Sequence, residues 1–428
     1  MPPRPTNTNP LLAFPPHAPV AGLWRAHAPP DLRTPVSVSL WRSGTGWNTP
    51  ANAHTPRPEP GEDPLDAIER LWNTTRKSSR CAHTGWLVCL AYDLGRVLEP
   101  RAQHPAAPAD DRAFPEIVLV RLDGTRPPEH HPARAYDLGE PDTEASRAPY
   151  TDAVAEALDR IRAGEVYQVN LTHRLSCPFE GSARALASEL LAAARPWHGA
   201  YLEFDEHHTR RALICASPEL FLDADLNTRR VRTRPMKGTR PAEGNPEELR
   251  DCPKDRAELD MITDLMRNDL GRVCAFGSVR VAEPRAIERH DSGVIQATSR
   301  VEGSLRPGIG VAQLLRATFP PGSVTGAPKV RAMRVIDQLE RHRRGPYCGA
   351  CGVLRDDGRL SLGVSIRTAL ITGRPSPSAP DEIESGVLDY AVGAGIVSDS
   401  DPHAEWRESL VKARPLLALA ARRHASRR

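Results

Sequence analysis

The interpretation of this chain starts from residues 231–274, which read VRTRPMKGTRPAEGNPEELRDCPKDRAELDMITDLMRNDLGRVC. A glycine-containing turn presents Lys237 in PMKGT, a Pro-, Gly- and Asn-rich loop follows, and a helix comes next. At 100° per residue, one side of that helix carries Lys254, Asp255, Glu258, Met261, Ile262, Leu265 and Asp269. The opposite side carries Arg256, Asp260, Thr263 and Arg267, which is the composition of an ordinary solvated face.

Two acids therefore share the stripe that the apolar residues would turn inward. Asp255 and Glu258 are unstable in such a place unless they are paired or hold a metal ion. The alternative is a salt bridge to Lys254, or a helix whose true register differs from this one. Spacing alone leaves both interpretations open.

A second helix near the end of the chain repeats this feature. Asp401-Pro402 is typical of a helix start, and Glu405, Glu408 and Lys412 then fall on one face. Two helices with paired carboxylates could enclose a hard divalent cation such as Mg²⁺, which prefers about six oxygen ligands. The alternative is an exposed helix with a Glu408–Lys412 pair that contributes a few tenths of a kcal/mol.

Composition excludes several functional classes. Hydrophobic residues make up 39% and charged residues 26% of the 428 residues, which is typical of a globular protein. The net charge of +3 and the absence of a basic block give no case for nucleic-acid binding. The apolar run at 415–421 is too short to span a bilayer, and the N-terminus lacks a signal-peptide pattern. Eight scattered cysteines suit reduced thiols, so we expect a cytoplasmic protein in which Cys348 and Cys351 are buried bystanders.

Strands and helices alternate without a regular βαβ rhythm, which favours a mixed α/β (α+β type) fold with largely antiparallel sheets. A Pro- and acid-rich linker at 123–148 is the best candidate boundary. Further helices are predicted at 64–72, 150–163, 183–194, 311–316 and 330–341. Strands are predicted at 36–41, from 85 to a bend at 93–95, and at 117–122, 165–175, 200–204, 211–215, 220–222, 278–282, 294–302, 349–354, 360–372 and 386–392.

Two loops could bind anions through exposed backbone N–H groups. One is TFPPGSVTGAPK at 318–329, and the other is GAG at 393–395. Such surfaces bind carboxylate or phosphate, but neither loop matches a P-loop or a dinucleotide fingerprint.

Eight motifs in order carry a resemblance to a known family. They are GEVYQVNL (164–171), ASPELFL (216–222), PMKGTRP (235–241), KDRAELDMITDLMRNDLGRVC (254–274), TFPPGSVTGAPKVRAM (318–333), YCGACG (347–352), IRT (366–368) and GAGIVSDSDPHAEWRESLVKA (393–413). Together they resemble the chorismate-utilising enzymes, which include component I of anthranilate and aminodeoxychorismate synthases and the isochorismate and salicylate synthases. The resemblance implies two large, mainly antiparallel sheets packed face to face with helices outside. It implies an N-terminal region at 1–148, a chorismate-binding catalytic region at 149–415 and a C-terminal tail at 416–428.

The resemblance also implies a set of site residues. Glu258 and Glu408 match Mg²⁺ ligands, with Asp255 and Glu405 acting partly through waters. Residues that match the surroundings of the two substrate carboxylates are Tyr347 and Arg367 for the pyruvyl carboxylate, and Thr325, Gly393, Ala394, Gly395 and Lys412 for the ring carboxylate.

Two positions discriminate within the family. Water-adding members carry a general-base lysine where this chain has Gln168, and an amide cannot take a proton from water. Anthranilate synthases resemble PIAGT where this chain has Lys237, whereas aminodeoxychorismate synthases carry PIKGT. The resemblance to the latter implies that the amine of Lys237 adds at C2 as the C4 hydroxyl leaves, and that ammonia then enters at C4. Glu219 matches the residue placed to protonate the leaving hydroxyl or to handle the protons of ammonia.

The resemblance implies the formation of 4-amino-4-deoxychorismate with Mg²⁺, and a separate class I glutamine amidotransferase subunit, because the chain contains no GxCxG nucleophile elbow. The histidine of part of the family is replaced by Gln296, so its role cannot be transferred, and the signature of tryptophan-inhibited members is not visible. Two alternatives stay open. One is an anthranilate or 2-amino-2-deoxyisochorismate producer, and the other is a non-catalytic paralogue that binds chorismate or a partner.

Overall fold

In a computed structural model of the chain, the described residues are 20–25, 28–32, 35–43, 46–48, 61–78, 84–122, 135–206, 208–290, 294–379 and 382–425. They form two large antiparallel sheets with helices against them, which confirms the predicted fold class. Much of the predicted irregular start and residues 123–134 of the predicted linker lie outside the described ranges.

The first sheet has nine strands. They are β1 (Val20–Arg25), β2 (Ala28–Leu32), β7 (Tyr136–Leu138), β8 (Gln168–Gly181), β9 (His198–Glu206), β10 (Thr209–Ser217), β16 (Gly326–Ala327), β19 (Thr368–Pro375) and β20 (Ile383–Ile396). Their order in the sheet is β16-β8-β20-β19-β10-β9-β1-β2, with β7 paired to β8.

The second sheet has eleven strands. They are β3 (Pro35–Ser43), β4 (Gly46–Asn48), β5 (Gly85–Leu90), β6 (Ile117–Leu122), β11 (Leu220–Asp225), β12 (Arg230–Arg234), β13 (Met236–Pro241), β14 (Arg280–His290), β15 (Val294–Ser304), β17 (Ala350–Arg355) and β18 (Arg359–Val364). Their order is β13-β15-β12-β11-β18-β17-β5-β6-β3-β4, with β14 paired to β15.

The two sheets pack face to face through apolar side chains of alternating strand positions. One buried cluster joins Leu87 and Val118 of the second sheet to Leu202 and Leu213 of the first. The helices of the described ranges are α1 (Pro64–Ser78), α2 (Leu94–Leu98), α3 (Arg147–Arg162), α4 (Ala183–Ala194), α5 (Pro246–Asp251), α6 (Pro253–Gly271), α7 (Val311–Thr318), α8 (Lys329–Leu339) and α9 (Pro402–Ala425). None of them combines the length and apolar character that crossing a bilayer requires.

Helix α6 buries the acids of the stripe that the periodicity predicts, whereas Lys254, Met261 and Leu265 of that stripe are half-buried. Asp255, Glu258 and Asp269 are buried along with Ile262, while the predicted solvated face is exposed at Arg256, Asp260 and Arg267. The exception is Thr263, which the periodicity places toward solvent and which is buried. Its hydroxyl donates to the carbonyl oxygen of Leu259 at 2.6 Å, so its polar group is satisfied inside the helix.

Two further predictions differ from the structure. The strand predicted at 360–372 is interrupted between β18 and β19, because Arg367 adopts a φ of +51° that a strand cannot accommodate. The predicted tail from 416 onward continues α9 to Ala425, and Leu416 and Leu419 are buried in the core. The two cysteines of the CxxC motif are free and buried, as predicted.

Candidate active site

Lys237 lies on β13 at the edge of the second sheet, opposite Ala297 of β15. The pairing shifts register just after it, where Gly238 adopts a φ of +70°. A β-carbon on Gly238 would come within 2.9 Å of the Asp255 carboxylate, so glycine lets the turn press against α6. The Lys237 side chain is only 11% exposed, and its Nζ lies 3.6 Å from Oε2 of Glu258.

Helices α6 and α9 face each other across a set of ion pairs. Nζ of Lys254 on α6 lies 3.0 Å from Oε1 of Glu405 on α9. Although burial opposes it, the hydrogen bond with Glu405 and the charges of Glu258 and Glu408 raise the pKa of Lys254. Burial raises the pKa of Glu258, and the charges of Glu408 and Glu405 add to that effect. Three of the four predicted metal-binding acids, Glu258, Glu405 and Glu408, are therefore close enough to interact electrostatically.

Each of these acids has a basic partner in the structure. Asp255 accepts a hydrogen bond from Arg240 at 2.8 Å, and Oε1 of Glu408 lies 3.0 Å from Nζ of Lys412. The attraction of Lys412 lowers the pKa of Glu408, so this carboxylate is ionised at neutral pH.

The donor set fits Mg²⁺ in its chemistry, since carboxylate oxygens are the ligands that this ion prefers. The Lys254 ammonium already acts as a cation toward Glu258, Glu405 and Glu408. Within the ranges that the structure describes, no three His, Cys, Asp or Glu side chains already form a group that could hold a metal ion. The metal-binding role of these acids therefore stays a prediction.

Glu219 follows β10 in the turn Ser217-Pro218-Glu219 and is almost completely buried. Burial raises its pKa to about 7, against a hydrogen bond with Ser323, the charge of Lys237 and the backbone N–H of Met236. A substantial fraction of this side chain is therefore a neutral acid near pH 7, close to the Lys237 amine. This combination can donate a proton to a leaving group beside a nucleophile.

Gln168, the first residue of β8, is fully buried beside Lys237. Neither its Oε1 nor its Nε2 has a hydrogen-bond partner among the described residues. A β-carbon built on Gly395 of β20 would stand 2.4 Å from Nε2 of Gln168 and 2.8 Å from Nζ of Lys237, so both side chains end over this glycine. A buried amide without hydrogen-bond partners costs about 1–3 kcal/mol of folding stability. This cost indicates that Gln168 has a role other than stabilising the fold.

Of the two residues predicted to hold the pyruvyl carboxylate, Tyr347 is buried and Arg367 is half-buried. Burial raises the pKa of Tyr347, so its phenol stays neutral and can donate. Burial lowers the pKa of Arg367, and the described residues show no ion pair to its guanidinium. The Arg367 guanidinium, half-buried and without a carboxylate partner among the described residues, is suited to an anionic ligand.

The residues predicted around the ring carboxylate differ in the contacts that they make. Nζ of Lys412 donates to the carbonyl oxygen of Gly393 at 2.8 Å. The Ala394 side chain packs in the hydrophobic core. Residues 393–395, predicted as a loop with exposed N–H groups, instead lie in β20 and pair with residues 170–172 of β8, so part of their backbone is already engaged in the sheet. Thr325 is fully buried, and its hydroxyl donates to the carbonyl oxygens of Pro321 and Gly322 at 3.2 and 3.1 Å. The Thr325 side chain is thus engaged within its own loop, and its role as a ligand stays a prediction.

A cavity of about 460 Å³ is lined in part by Tyr347. Lys237 does not line it, and its walls instead include Thr172, Arg174, His342 and Asp389. The cavity therefore does not coincide with the cluster of acids and lysines.

Sequence reasoning missed three partners in this cluster. Arg240 pairs with Asp255, Ser323 with Glu219, and Lys254 with an acid 151 positions away. Arg240 and Ser323 lie inside motifs that the sequence analysis singles out, and Lys254 is placed on the correct helix face. Which acid each would meet depends on how the two sheets dock, and spacing carries no information on that.

Comparison with known proteins identifies one family along most of the chain. The family model described as chorismate binding enzyme matches residues 37–418. Anthranilate synthase component 1 of Thermus thermophilus is 43% identical over 280 residues, which are 64% of this chain and 56% of that protein. Aminodeoxychorismate synthase component 1 of Salmonella typhimurium is 35% identical over 366 residues, 78% of this chain and 76% of that protein.

A second aminodeoxychorismate synthase component 1, from Klebsiella aerogenes, is 38% identical over 64% of this chain and 58% of its own length. The matched part of the chain thus spans little more than half the length of several of these relatives. Among solved structures, anthranilate synthase component I from Streptococcus pneumoniae has a TM-score of 0.70 at 24% identity and covers 92% of this chain and 91% of that one. At this identity the likeness supports the fold alone.

Proposed function

The chain belongs to the family of chorismate binding enzymes, and on that premise we propose that it is an aminodeoxychorismate synthase component I. It would convert chorismate and ammonia to 4-amino-4-deoxychorismate and water. The observation that carries the proposal is Lys237, a largely buried amine on an edge strand, 3.6 Å from Glu258 and close to Glu219, whose pKa is raised by burial to about 7. Names of relatives divide between two reactions, with identities of 43% and 38%, so identity alone does not separate them.

The proposed chemistry has two displacements. The Lys237 nitrogen forms a bond to C2 of the ring while the ring double bond shifts and the C4–O bond breaks. Glu219 gives its proton to the departing hydroxyl, which leaves as water. Ammonia then bonds to C4, the double bond shifts back, and the C2–N bond breaks to regenerate the lysine amine. Glu219 can take up the proton that ammonia loses, so the residue ends the cycle as it began.

Other residues of the cluster would bind and orient the substrate. Arg367 and Tyr347 would hold the pyruvyl carboxylate, and Lys412 with the backbone of 393–395 would border the ring carboxylate. Glu258 and Glu408, assisted by Asp255 and Glu405, would hold Mg²⁺. When bound, the ion would neutralise the ring carboxylate and assist departure of the C4 hydroxyl.

Ammonia would come from a separate class I glutamine amidotransferase subunit, in keeping with relatives that are each named as component 1 of a synthase. We also propose a cytoplasmic location, where chorismate and glutamine are both available.

Anthranilate synthesis is the second candidate, because the Thermus thermophilus relative of that name is 43% identical. In that reaction ammonia attacks C2 directly. The Lys237 side chain would stand in this approach, which is why we favour amination at C4.

The test is to incubate the purified chain with chorismate, Mg²⁺ and an ammonium salt, and to identify the product by mass and by the ring position of nitrogen. We expect 4-amino-4-deoxychorismate. A product with nitrogen at C2, or anthranilate, would overturn the proposal in favour of the second candidate.

A further inference from the structure

Gln168 combines complete burial with a side-chain amide that has no hydrogen-bond partner in the part of the chain that the structure describes. Its backbone is held by the neighbouring strand β16. It pairs with Ala327 of β16, and a β-carbon on Gly326 would come within 2.2 Å of its carbonyl oxygen. The backbone that carries the amide is therefore fixed in place by its neighbours.

The amide ends beside one functional group in particular. The same point above Gly395 lies 2.4 Å from Nε2 of Gln168 and 2.8 Å from Nζ of Lys237. Lys237 also has Glu258 at 3.6 Å, a distance too long for a good hydrogen bond. The amine is thus loosely held by Glu258 and lies near a neutral amide.

We propose that Gln168 is a positioning residue for the Lys237 amine, and that its Oε1 accepts one N–H of this amine when substrate fills the site. The inference rests on the proposed function, in which Lys237 is the nucleophile. A half-turn of the terminal amide brings Oε1 to the place of Nε2 without moving any other atom of the side chain.

An amide suits this task better than a carboxylate or an apolar group. A neutral primary amine has two N–H bonds and one lone pair, and attack at carbon requires that the lone pair be free. An acceptor that takes one N–H directs the lone pair elsewhere and limits rotation of the amine. Gln168 provides that acceptor without a negative charge, whereas a carboxylate there would favour the protonated, non-nucleophilic lysine.

This role predicts opposite effects on stability and on catalysis. If the Gln168 amide gains a hydrogen-bond partner only in the reacting complex, replacing it with an apolar side chain of the same length should not destabilise the free protein. It should, however, slow the step in which the lysine adds to the ring. If Gln168 had a merely structural role, its replacement would lower stability and activity together.

The experiment compares Gln168→Met with Gln338→Met. Gln338 on α8 is a matched control because its amide does have partners: its oxygen accepts from Arg160, and its nitrogen meets Nε2 of His104 at 2.6 Å. The measurements are the melting temperature without substrate, kcat and KM for chorismate with ammonium, and the rate at which a chorismate-derived adduct forms on the Lys237 peptide without ammonia.

We expect Gln168→Met to melt at or above the wild-type temperature, and to lose at least about tenfold in kcat and adduct rate with KM changed less than about threefold. Gln338→Met should show the reverse, a lower melting temperature with unchanged kcat. The inference is overturned if Gln168→Met turns over at the wild-type rate, if it melts lower or fails to fold, or if only KM changes. A wild-type chain that makes no 4-amino product would instead refute the proposed function, and the inference with it.

Discussion

At the scale of single residues, the candidate site depends on groups kept in unusual surroundings. Lys237 on β13 and Glu219, which directly precedes β11, are both largely removed from water. Burial raises the pKa of Glu219 to about 7, so this side chain can act as acid and as base at neutral pH.

Replacing Lys237 by alanine tests whether the amine forms a bond or only occupies space. We expect Lys237→Ala to lose 4-amino product by far more than tenfold, because covalent nucleophiles contribute several kcal/mol and each 1.36 kcal/mol is about tenfold in rate. Mg²⁺ binding should persist, since no carboxylate is removed. Product analysis by mass spectrometry, with a melting curve as the folding control, is the measurement. A loss below about tenfold would assign the lysine a positioning role, and efficient 4-amino product would exclude the mechanism.

Glu219→Gln should change both the reaction and the pH dependence of stability. The amide cannot protonate the leaving hydroxyl, so kcat should fall. In the wild type the pKa is raised from 4.5 to about 7 by folding. The folded state therefore holds this proton more tightly, and the associated stability is present below about pH 4.5 and is lost as the pH rises through 7.

The amide that replaces the Glu219 carboxyl group in that variant cannot ionise, so the stability of the variant should not show this loss. Melting curves between pH 5 and 8 should give a difference, variant minus wild type, that increases toward pH 7 and then levels off. A constant difference over this range would mean that Glu219 is already ionised in the folded protein at low pH.

At the scale of elements, α6 and α9 face each other and carry the four predicted metal-binding acids, each of which pairs with a lysine or an arginine. We expect Glu258→Gln and Glu408→Gln to keep the fold and to abolish Mg²⁺-dependent turnover, because each keeps side-chain volume and removes a charged ligand. Asp260→Asn, on the exposed face of α6, is the control and should leave turnover unchanged. Calorimetric titration with Mg²⁺ should show weakened binding for the two glutamine variants alone. Near-normal activity in either, at ordinary Mg²⁺, would refute the metal site.

Strand β20 contributes Gly395, which lies against the ends of the Gln168 and Lys237 side chains. A methyl group on Gly395 would meet the ends of two side chains, Gln168 and Lys237, rather than backbone. Because such side chains can move, Gly395→Ala should fold but displace the Lys237 amine, and we expect kcat to fall at least about tenfold. Gly271→Ala adds its methyl where nothing lies within 4 Å and is the matched control. Unchanged kcat in Gly395→Ala would show that the amine tolerates displacement.

Elements of this kind differ in how far the sequence predicts them. Helical periodicity alone finds the buried acids of α6, because the spacing of a helix fixes which residues share a face. The ends of α4 are predicted at 183–194 and lie there, with Ser182 as the N-cap. The break at Arg367 is not predicted, since a positive φ in an arginine is imposed by the surroundings of the residue. Likewise, no local pattern could show that Lys254 would meet Glu405, because that contact joins helices far apart in the chain.

At the scale of the whole molecule, the candidate site is formed where the two sheets meet. Gln168 and Gly395 belong to the first sheet, and Lys237 belongs to the second. Strands from both the first third and the last third of the chain complete each sheet. The geometry of the nucleophile therefore depends on the packing of the whole fold, and changes in the core between the sheets should affect catalysis before they unfold the protein.

The proposed source of ammonia also depends on which motifs the whole chain contains. The sequence contains no GxCxG nucleophile elbow, and without an activated cysteine nucleophile the side-chain amide of glutamine is not hydrolysed at a useful rate. We therefore expect the purified chain to aminate chorismate with ammonium salts and to show no activity with glutamine. The activity with ammonium should first increase with pH, since only unprotonated ammonia is a nucleophile, and it should stop increasing above about pH 7, where Glu219 loses the proton that it donates.

Addition of a class I glutaminase subunit from the same source should then confer activity with glutamine. The measurement is product formation with each nitrogen source, with and without that subunit, and with glutamate release followed in parallel. Ammonium-dependent turnover by the chain alone serves as the control that the preparation is active. Glutamine-dependent product from the single purified chain, accompanied by glutamate, would contradict the requirement for a partner.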